Sequence, residues 1–412
     1  MENSKLNENS NKNNNSNSTL ITPKNIFNSI TRKVLKCSKT TIKLSTNIIE
    51  AILSQDKEEL NKLSEQGLPD DLPILRALVW KINLGYLPLN SNLWEKTFIE
   101  KRNLYKLYKD MIIQQIKRER EEKNYKKKLI IEQILKDISR TGPTFSFFFQ
   151  STDKNKQFTQ EELVKMYKER KDCVFQNIEE YYNIEKENET HADVLTRILL
   201  IYSNFAPEIS YHQGMNDILA PIYYCYSYDK LYIEENEETI EADSFWSFFN
   251  LMSQMKMSFD EFIIEGNKTN TENLYQLLKI IDIDLINHME KNNIRFEFFA
   301  IRWFILLFSQ EFEIGDILKL WDLIFSVENV YYYTYYISLA VLEIKKTKLI
   351  TCDMVDFMVE IQNFENVEID EVLNCVNDIK NKYEKEFLKI ITKNKLEDKF
   401  IKGGKIVYRK KE

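Results

Sequence analysis

Apolar positions along the chain recur mostly with the spacing of an α-helix. In one clear instance, Ile131, Ile134, Leu135 and Ile138 fall at i, i+3, i+4 and i+7 and form a single apolar stripe. Similar patterns predict further helices at 47–63, 72–87, 104–135, 161–182, 192–204, 215–226, 244–257, 274–281, 296–308, 314–325, 331–344, 353–362 and 369–391. Only 8 Gly and 7 Pro in 412 residues also favour long helices over a turn-rich β protein. The pattern therefore predicts an all-α fold.

The first 44 residues have a different composition. Asn, Ser and Lys dominate residues 1–20, which cannot bury enough apolar surface to order themselves. Residues 9–49 include no Asp or Glu, while residues 24–43 include six basic side chains and a short apolar stripe of Ile26, Ile30 and Val34. One interpretation is a solvated leader that packs loosely on the domain, and another is a basic amphipathic segment that contacts an anionic membrane surface. A transit peptide is disfavoured by Glu2 and Glu8.

Charge and cysteine content exclude several classes of protein. A net charge of -7 gives no electrostatic footprint for nucleic acid. The five cysteines form no C-x-x-C pair, and the three histidines form no H-E-x-x-H. We interpret the cysteines as reduced thiols of a cytosolic protein and predict no metal site. The most apolar runs fall short of a membrane span.

Chemistry is first suggested at the end of the helix that carries the Ile131–Ile138 stripe. Arg140 lies about opposite the centre of that stripe, with Asp137 one turn behind it. Gly142 precedes a proline, which predicts that the helix ends at about Arg140 or Thr141. This geometry presents a guanidinium at the exposed end of a rigid element. An ordinary surface ion pair between Arg140 and Asp137 is the alternative interpretation.

A second segment, Tyr211-His212-Gln213-Gly214-Met215-Asn216-Asp217, places Gln213 at the start of a predicted helix. Gln213 could simply cap that helix, or it could act on a ligand at the helix N-terminus. The chain has no G-x-x-x-x-G-K-[ST] and no G-x-G-x-x-G segment, so it has no evident phosphate-binding loop of its own. If Arg140 and Gln213 serve phosphoryl transfer, another protein must hold the nucleotide.

Several motifs, in this order along the chain, resemble those of the TBC-domain family of Rab GTPase-activating proteins. They span about Gly67 to Ile344. The matching segments are Arg76-x-x-x-Trp80, Ile134-x-x-Asp137-x-x-Arg140, Tyr211-x-Gln213 with Gly214-Met215, Arg302-Trp303-Phe304 leading to Glu311-Phe312, and Leu320-Trp321-Asp322-Leu323-Ile324-Phe325.

The resemblance implies a two-lobed, all-α TBC domain and a mechanism with two residues supplied in trans. Arg140 would be an arginine finger at the γ-phosphate, oriented by Asp137. Gln213 would be a glutamine finger that orients the attacking water in place of the Rab's own glutamine, and Tyr211 would shape its loop. The framework positions, which we expect to serve folding rather than chemistry, are Arg76, Trp80, Gly214, Arg302, Trp321 and Asp322.

The resemblance also implies partners and a domain organisation. We expect a Rab-family GTPase in its GTP form as partner, which would hold the GTP and Mg²⁺, so that this chain needs no cofactor of its own. A protein of the same fold that binds the GTPase without catalysis is the alternative. We expect a cytoplasmic location, peripheral on endomembranes if residues 24–43 contact lipid. The predicted units are a disordered leader (1–44), an N-terminal lobe with both fingers (45–228), an acidic loop (229–243), a C-terminal lobe (244–392) and a frayed basic tail (393–412).

Overall fold

The fold is all-α, as the sequence predicts, with one short β-ladder near the end of the chain. In the computed structural model of the protein, the residues described are 22–123, 126–144, 146–153, 155–205, 211–228, 237–264, 268–397, 400–402 and 405–407. The helices are α1 Pro23–Val34, α2 Lys39–Ser54, α3 Lys57–Glu65, α4 Pro73–Asn83, α5 Trp94–Glu121, α6 Lys126–Thr144, α7 Gln160–Gln176, α8 Ile178–Tyr182, α9 His191–Phe205, α10 Met215–Tyr228, α11 Glu237–Ile264, α12 Lys268–Ile281, α13 Ile283–Lys291, α14 Ala300–Leu306, α15 Ile314–Ile324, α16 Tyr331–Leu349, α17 Met354–Gln362 and α18 Ile369–Glu397. Strands β1 Phe400–Lys402 and β2 Lys405–Val407 pair antiparallel, with Ile401 opposite Ile406.

Helix α10 lies at the centre of the first lobe. It is buried along nearly its whole length and packs on α4, α6, α9 and α11. A helix that is apolar on every side needs such surroundings. In the second half of the chain, α16 packs on α14, α15, α17 and α18, and α12 packs on α18. Contacts of α10 with α14 and α15, and of α3 with α15, join the two halves.

A buried polar cluster also joins the two halves and contains four of the predicted framework residues. The Arg76 guanidinium donates from Nε to Asp322 Oδ1 at 3.0 Å, and the Trp80 indole donates to the same oxygen at 2.8 Å. The Leu68 backbone N–H donates to Asp322 Oδ2 at 2.9 Å. Trp321 lies beside Trp80, with ring centroids 6.0 Å apart. Because every member is hydrogen-bonded or packed, the cluster can be buried without unpaired charge.

The prediction of a disordered leader over residues 1–44 is wrong for residues 22–44. Helix α1 and the start of α2 occupy this segment, and Ile26, Ile30 and Val34 are buried against the domain. The apolar stripe therefore completes the core and does not face outward, which removes the apolar face that the membrane interpretation used. Residues 1–21 lie outside the described residues.

The prediction of an acidic surface loop at 229–243 is wrong for residues 237–243. These residues form the first two turns of α11, and two of the carboxylates are buried. Glu241 pairs with Arg197 (Nη2 to Oε2, 2.7 Å), and Asp243 pairs with Arg102 (Nη2 to Oδ2, 2.6 Å). The acidic run thus supplies counter-ions for buried cations, a role that local composition does not reveal. Residues 229–236 lie outside the described residues.

Several predicted helix boundaries also change. The helix predicted at 47–63 is two helices, α2 and α3, because Gln55 adopts a left-handed conformation (φ 59°) and Asp56 caps the helix that follows. Helix α6 continues to Thr144, past the predicted end at Arg140 or Thr141. A proline disfavours helical conformation in the preceding residue without forbidding it, and this pair lies in the last turn. Within the described ranges, every helix is too short or too polar to cross a membrane.

Candidate functional site

The arginine of the site is carried by the last turns of α6. The stripe of Ile131, Ile134, Leu135 and Ile138 is buried, and α6 packs on α9 and α10. This packing turns Arg140 toward solvent, so that 58% of its side chain is exposed.

Asp137 lies one turn before Arg140 and is buried beneath it. Its Oδ2 accepts hydrogen bonds from the Tyr211 hydroxyl at 3.0 Å and from Gln133 Nε2 at 2.9 Å. Its Oδ1 lies 3.8 Å from Arg140 Nη1, which is a loose ion pair. Burial, reinforced by Asp137, raises the pKa of Tyr211 well above its usual value, so the phenol remains a donor. Two donors thus fix one carboxylate oxygen and leave the other facing Arg140.

Gln213 is held by the turn that precedes α10. Gly214 has a φ of 98°, and a Cβ atom there would lie 2.7 Å from Leu306 Cδ2, so the turn requires glycine. At the start of α10, the Met215 N–H donates to the His212 carbonyl, and the N–H groups of Asp217 and Ile218 donate to the Gly214 carbonyl. The exposed Gln213 side chain makes no hydrogen bond within the described part of the chain, so the capping interpretation is not supported.

Arg140 and Gln213, 73 positions apart in the sequence, line one polar cleft of about 260 Å³. Asp137, Asn216, Asp217, Ser309 and Gln310 form the rest of its lining. Burial raises the pKa of Asp217 to about 6, and nearby Asp137 adds to this, while hydrogen bonds from Gln310 (2.7 Å) and Thr141 oppose it. The arrangement presents the Arg140 guanidinium and the Gln213 carboxamide to solvent, with the Asp137 and Asp217 carboxylates beneath them.

The structure therefore groups the predicted site residues in three places. Arg140, Asp137, Tyr211 and Gln213 come together at the cleft, with Gly214 behind them. Arg76, Trp80, Trp321 and Asp322 lie in the cluster between the lobes. Arg302 lies apart from both and donates from Nε to buried Glu311 Oε1 at 2.7 Å.

Sequence reasoning did not select Gln133, Asn216, Asp217 or Gln310 as members of this site. Helical spacing could have identified Gln133, since this residue lies one turn before Asp137 on the same helix. Gln310 arrives from the second half of the chain and carries no local signal.

No metal-binding group emerges from the residues described: no three His, Cys, Asp or Glu side chains among them are placed to hold an ion. At the cleft, the Arg140 guanidinium can stabilise negative charge and the Gln213 carboxamide can donate and accept hydrogen bonds.

Comparison with protein families gives a match to the Rab-GTPase-TBC domain over residues 150–350. The match includes Tyr211, Gln213 and Asp322 but begins after Arg140. The chain is 29% identical to human TBC1 domain family member 13 over 378 residues, which cover 79% of this chain and 94% of that protein. It is 26% identical to GTPase-activating protein GYP1 of Saccharomyces cerevisiae over 295 residues, covering 67% of this chain and 38% of that protein.

Two solved structures have the same fold. One is the crystal structure of the Ypt/Rab-GAP domain of Gyp1p, with a TM-score of 0.56 and 21% identity, covering 84% of this chain and 99% of that one. The other is the Chlamydomonas flagellar RabGAP TBC domain, with a TM-score of 0.51 and 16% identity, covering 86% and 94%. The protein thus has the architecture of the TBC domain. The ordered motifs, the family match over residues 150–350 and the relatives agree with this architecture, so the chain resembles the TBC-domain family of Rab GTPase-activating proteins in sequence as well as in fold.

Proposed function

We propose that this protein accelerates GTP hydrolysis by a Rab-family GTPase in its GTP form, supplying Arg140 and Gln213 in trans. One observation carries the proposal. Two side chains distant in sequence, a guanidinium and a carboxamide, line the same cleft without a firm partner among the residues that the structure describes. These are the two groups that γ-phosphoryl transfer to water needs from outside a GTPase.

The chemistry requires placement and charge and no covalent step on this chain. Arg140 counters the charge that develops on the γ-phosphoryl oxygens, and Gln213 orients the attacking water in line. An arginine finger contributes a rate factor of about 10³–10⁵, or roughly 4–7 kcal/mol of barrier. Asp137, held by Tyr211 and Gln133, orients the Arg140 side chain through a loose ion pair. The guanidinium therefore remains free to reach a phosphate. GTP and Mg²⁺ belong to the partner GTPase in this scheme.

Single-turnover GTP hydrolysis by a panel of Rab proteins tests the proposal. We expect acceleration of one or a few Rabs, lost by at least about 10³-fold in Arg140→Ala and strongly reduced in Gln213→Ala. Lys136→Ala is the matched control, because it removes an exposed cation one turn earlier on α6 that does not line the cleft. Acceleration that is indifferent to Arg140 would contradict the proposed mechanism.

Binding without acceleration would instead indicate an adaptor. A catalyst binds the transition state more tightly than the ground state. We therefore expect the protein to prefer a Rab carrying GDP with aluminium fluoride over the same Rab carrying GDP alone, and an adaptor to show no such preference.

We also propose peripheral contact with anionic endomembranes from the cytoplasmic side. Arg32, Lys36, Lys39 and Lys43 are exposed around the turn between α1 and α2, next to Leu35, which is 74% exposed. Because the apolar stripe of α1 is buried, this contact would be mainly electrostatic. Cosedimentation with phosphatidylserine vesicles, lost at high salt and in an Arg32→Glu/Lys36→Glu variant, is the expected result. Equal binding to neutral vesicles would contradict it.

A further inference from the structure

We infer that Asn216 is a positioning residue that couples the two fingers, so that Arg140 and Gln213 keep their relative placement as one unit. This inference rests on the proposed function for its catalytic consequence. The coupling itself is a property of this chain alone and can be measured without a GTPase.

The contacts of Asn216 lead to both fingers. Asn216 is buried in the first turn of α10, three positions after Gln213. Its Nδ2 donates to Thr141 Oγ1 at 2.6 Å, and Thr141 directly follows Arg140. Its Oδ1 lies 3.3 Å from the Tyr211 hydroxyl, two positions before Gln213. One carboxamide thus bridges the end of the arginine helix and the segment that carries the glutamine.

The rest of the network makes this bridge stiff. The Thr141 hydroxyl has one proton, which the Asp137 carbonyl (3.2 Å) and the Asp217 carboxylate can both accept, and with either acceptor its oxygen can accept from Asn216. Asn216 Nδ2 also lies 2.9 Å from Asp217 Oδ1, which uses the second N–H of the amide. Both N–H groups of the amide therefore have a buried acceptor, while its oxygen shares the single proton of the Tyr211 hydroxyl with Asp137 Oδ2. Because these groups are buried, the loss of one hydrogen bond leaves a polar group without its protein partner, which costs free energy.

Gln133 offers a matched comparison. It supports Asp137 from the arginine helix, donating to Oδ2 at 2.9 Å, and among the described residues it makes no hydrogen bond to the glutamine segment. If Asn216 couples the fingers, its loss should loosen both segments. Loss of Gln133 should loosen only the arginine segment. A purely structural role for Asn216 would instead loosen α9, α10 and α11 together, because α10 packs on both neighbours.

Hydrogen–deuterium exchange of the free, full-length protein gives the first test. In Asn216→Ala we expect faster exchange in the peptides that contain Arg140 and Gln213, with the rest of α9–α11 unchanged. In Gln133→Ala we expect the change in the Arg140 peptide alone. Exchange that rises in only one finger peptide of Asn216→Ala, or across the whole lobe, would overturn the coupling.

Single-turnover kinetics gives the second test. We expect Asn216→Ala to lower the hydrolysis rate at saturating protein by about 10–100-fold, with the half-saturating concentration changed less than threefold, since misplacement of catalytic groups acts on the rate. Thr141→Val removes the acceptor of the hydrogen bond between Asn216 Nδ2 and Thr141 Oγ1, with little change in side-chain shape. It should lower the rate similarly, and the double variant should be no slower than Asn216→Ala. Rate losses that multiply in the double variant would overturn the inference.

The two tests separate this inference from the proposed function. If no Rab is accelerated by the native protein but exchange rises in both finger peptides of Asn216→Ala, the proposed function fails and the coupling stands. If the native protein accelerates a Rab but Asn216→Ala leaves both rate and exchange unchanged, the coupling fails and the proposed function stands.

Discussion

Replacing Asp322 with alanine should destabilise the whole protein far more than removing any exposed carboxylate. The Asp322 carboxylate accepts from Arg76 (Nε at 3.0 Å, Nη2 at 3.0 Å), from the Trp80 indole at 2.8 Å and from the Leu68 N–H at 2.9 Å. These donors come from a part of the chain about 250 positions earlier, so the carboxylate holds the two halves together.

The magnitude follows from what Asp322→Ala leaves behind. The Arg76 side chain is only 3% exposed, and it would retain the Leu68 carbonyl and Asp70, whose side chain is 62% exposed. Removing one partner of a buried ion pair costs about 3–5 kcal/mol, because the remaining charge is buried without compensation. Asp70→Ala removes a carboxylate only 2.8 Å from the same guanidinium but in contact with water, and should cost about 0–1 kcal/mol.

Urea unfolding followed by both tryptophan fluorescence and circular dichroism measures the difference. Two of the five tryptophans, Trp80 and Trp321, lie in the cluster, so fluorescence includes a signal from the junction, and circular dichroism reports on the helices. We expect the two signals to change together in the native protein and the Asp322→Ala midpoint to fall well below that of Asp70→Ala. Equal midpoints for the two variants, or a loss below about 1 kcal/mol in Asp322→Ala, would refute the argument.

Two further predictions concern the cleft. Gly214→Ala forces a side chain into a left-handed backbone position and against Leu306. We therefore expect the free energy of unfolding in urea to fall by roughly 1–3 kcal/mol and stimulated hydrolysis at saturating protein to slow. Full retention of both stability and rate would contradict the role of the turn. Burial raises the pKa of Asp217 to about 6 from a usual value near 4, so its contribution favours the folded state below pH 4 and is lost as pH rises through 6. Asp217→Asn should therefore raise the thermal midpoint relative to the native protein at pH 7.5 and give little or no gain at pH 4, and a gain that is equal at both pH values would contradict this assignment.

Local pattern was sufficient for most of the fold. The stripe from Ile131 to Ile138 predicts both the helix and the face that it buries, and hence the exposure of Arg140. Helical periodicity is a property of short windows, so it survives without any knowledge of tertiary contacts.

The errors come from residues whose partners are distant in sequence. Glu241 and Asp243 belong to a run of acidic residues that is typical of a surface loop, yet both are buried. Each pairs with an arginine that is distant along the chain, Glu241 with Arg197 (44 positions) and Asp243 with Arg102 (141 positions). The basic segment 24–43 has the composition of a flexible tail, yet Ile26, Ile30 and Val34 pack it against the domain. Composition averages over such pairs and cannot detect them.

The floor of the cleft escaped prediction for the same reason. From the sequence, Asn216 is one more residue in the first turn of a helix, and its hydrogen bond to Thr141 exists only once α6 packs on α10. Gln310 reaches Asp217 from 93 positions further along the chain. The proposed fingers, Arg140 and Gln213, were suggested by their motifs, whereas the contacts of Asn216 and Gln310 were found only in the structure.

The central claim, that both catalytic side chains come from this protein, is tested most directly with a Rab that lacks its own catalytic glutamine. Single-turnover hydrolysis by that Rab should still be accelerated by the native protein by orders of magnitude, and this acceleration should disappear in Gln213→Ala as well as in Arg140→Ala. If the Rab variant is not accelerated although the unmodified Rab is, the water is oriented by the GTPase and Gln213 is not a finger. If acceleration of the Rab variant survives Gln213→Ala, Gln213 is likewise not a finger.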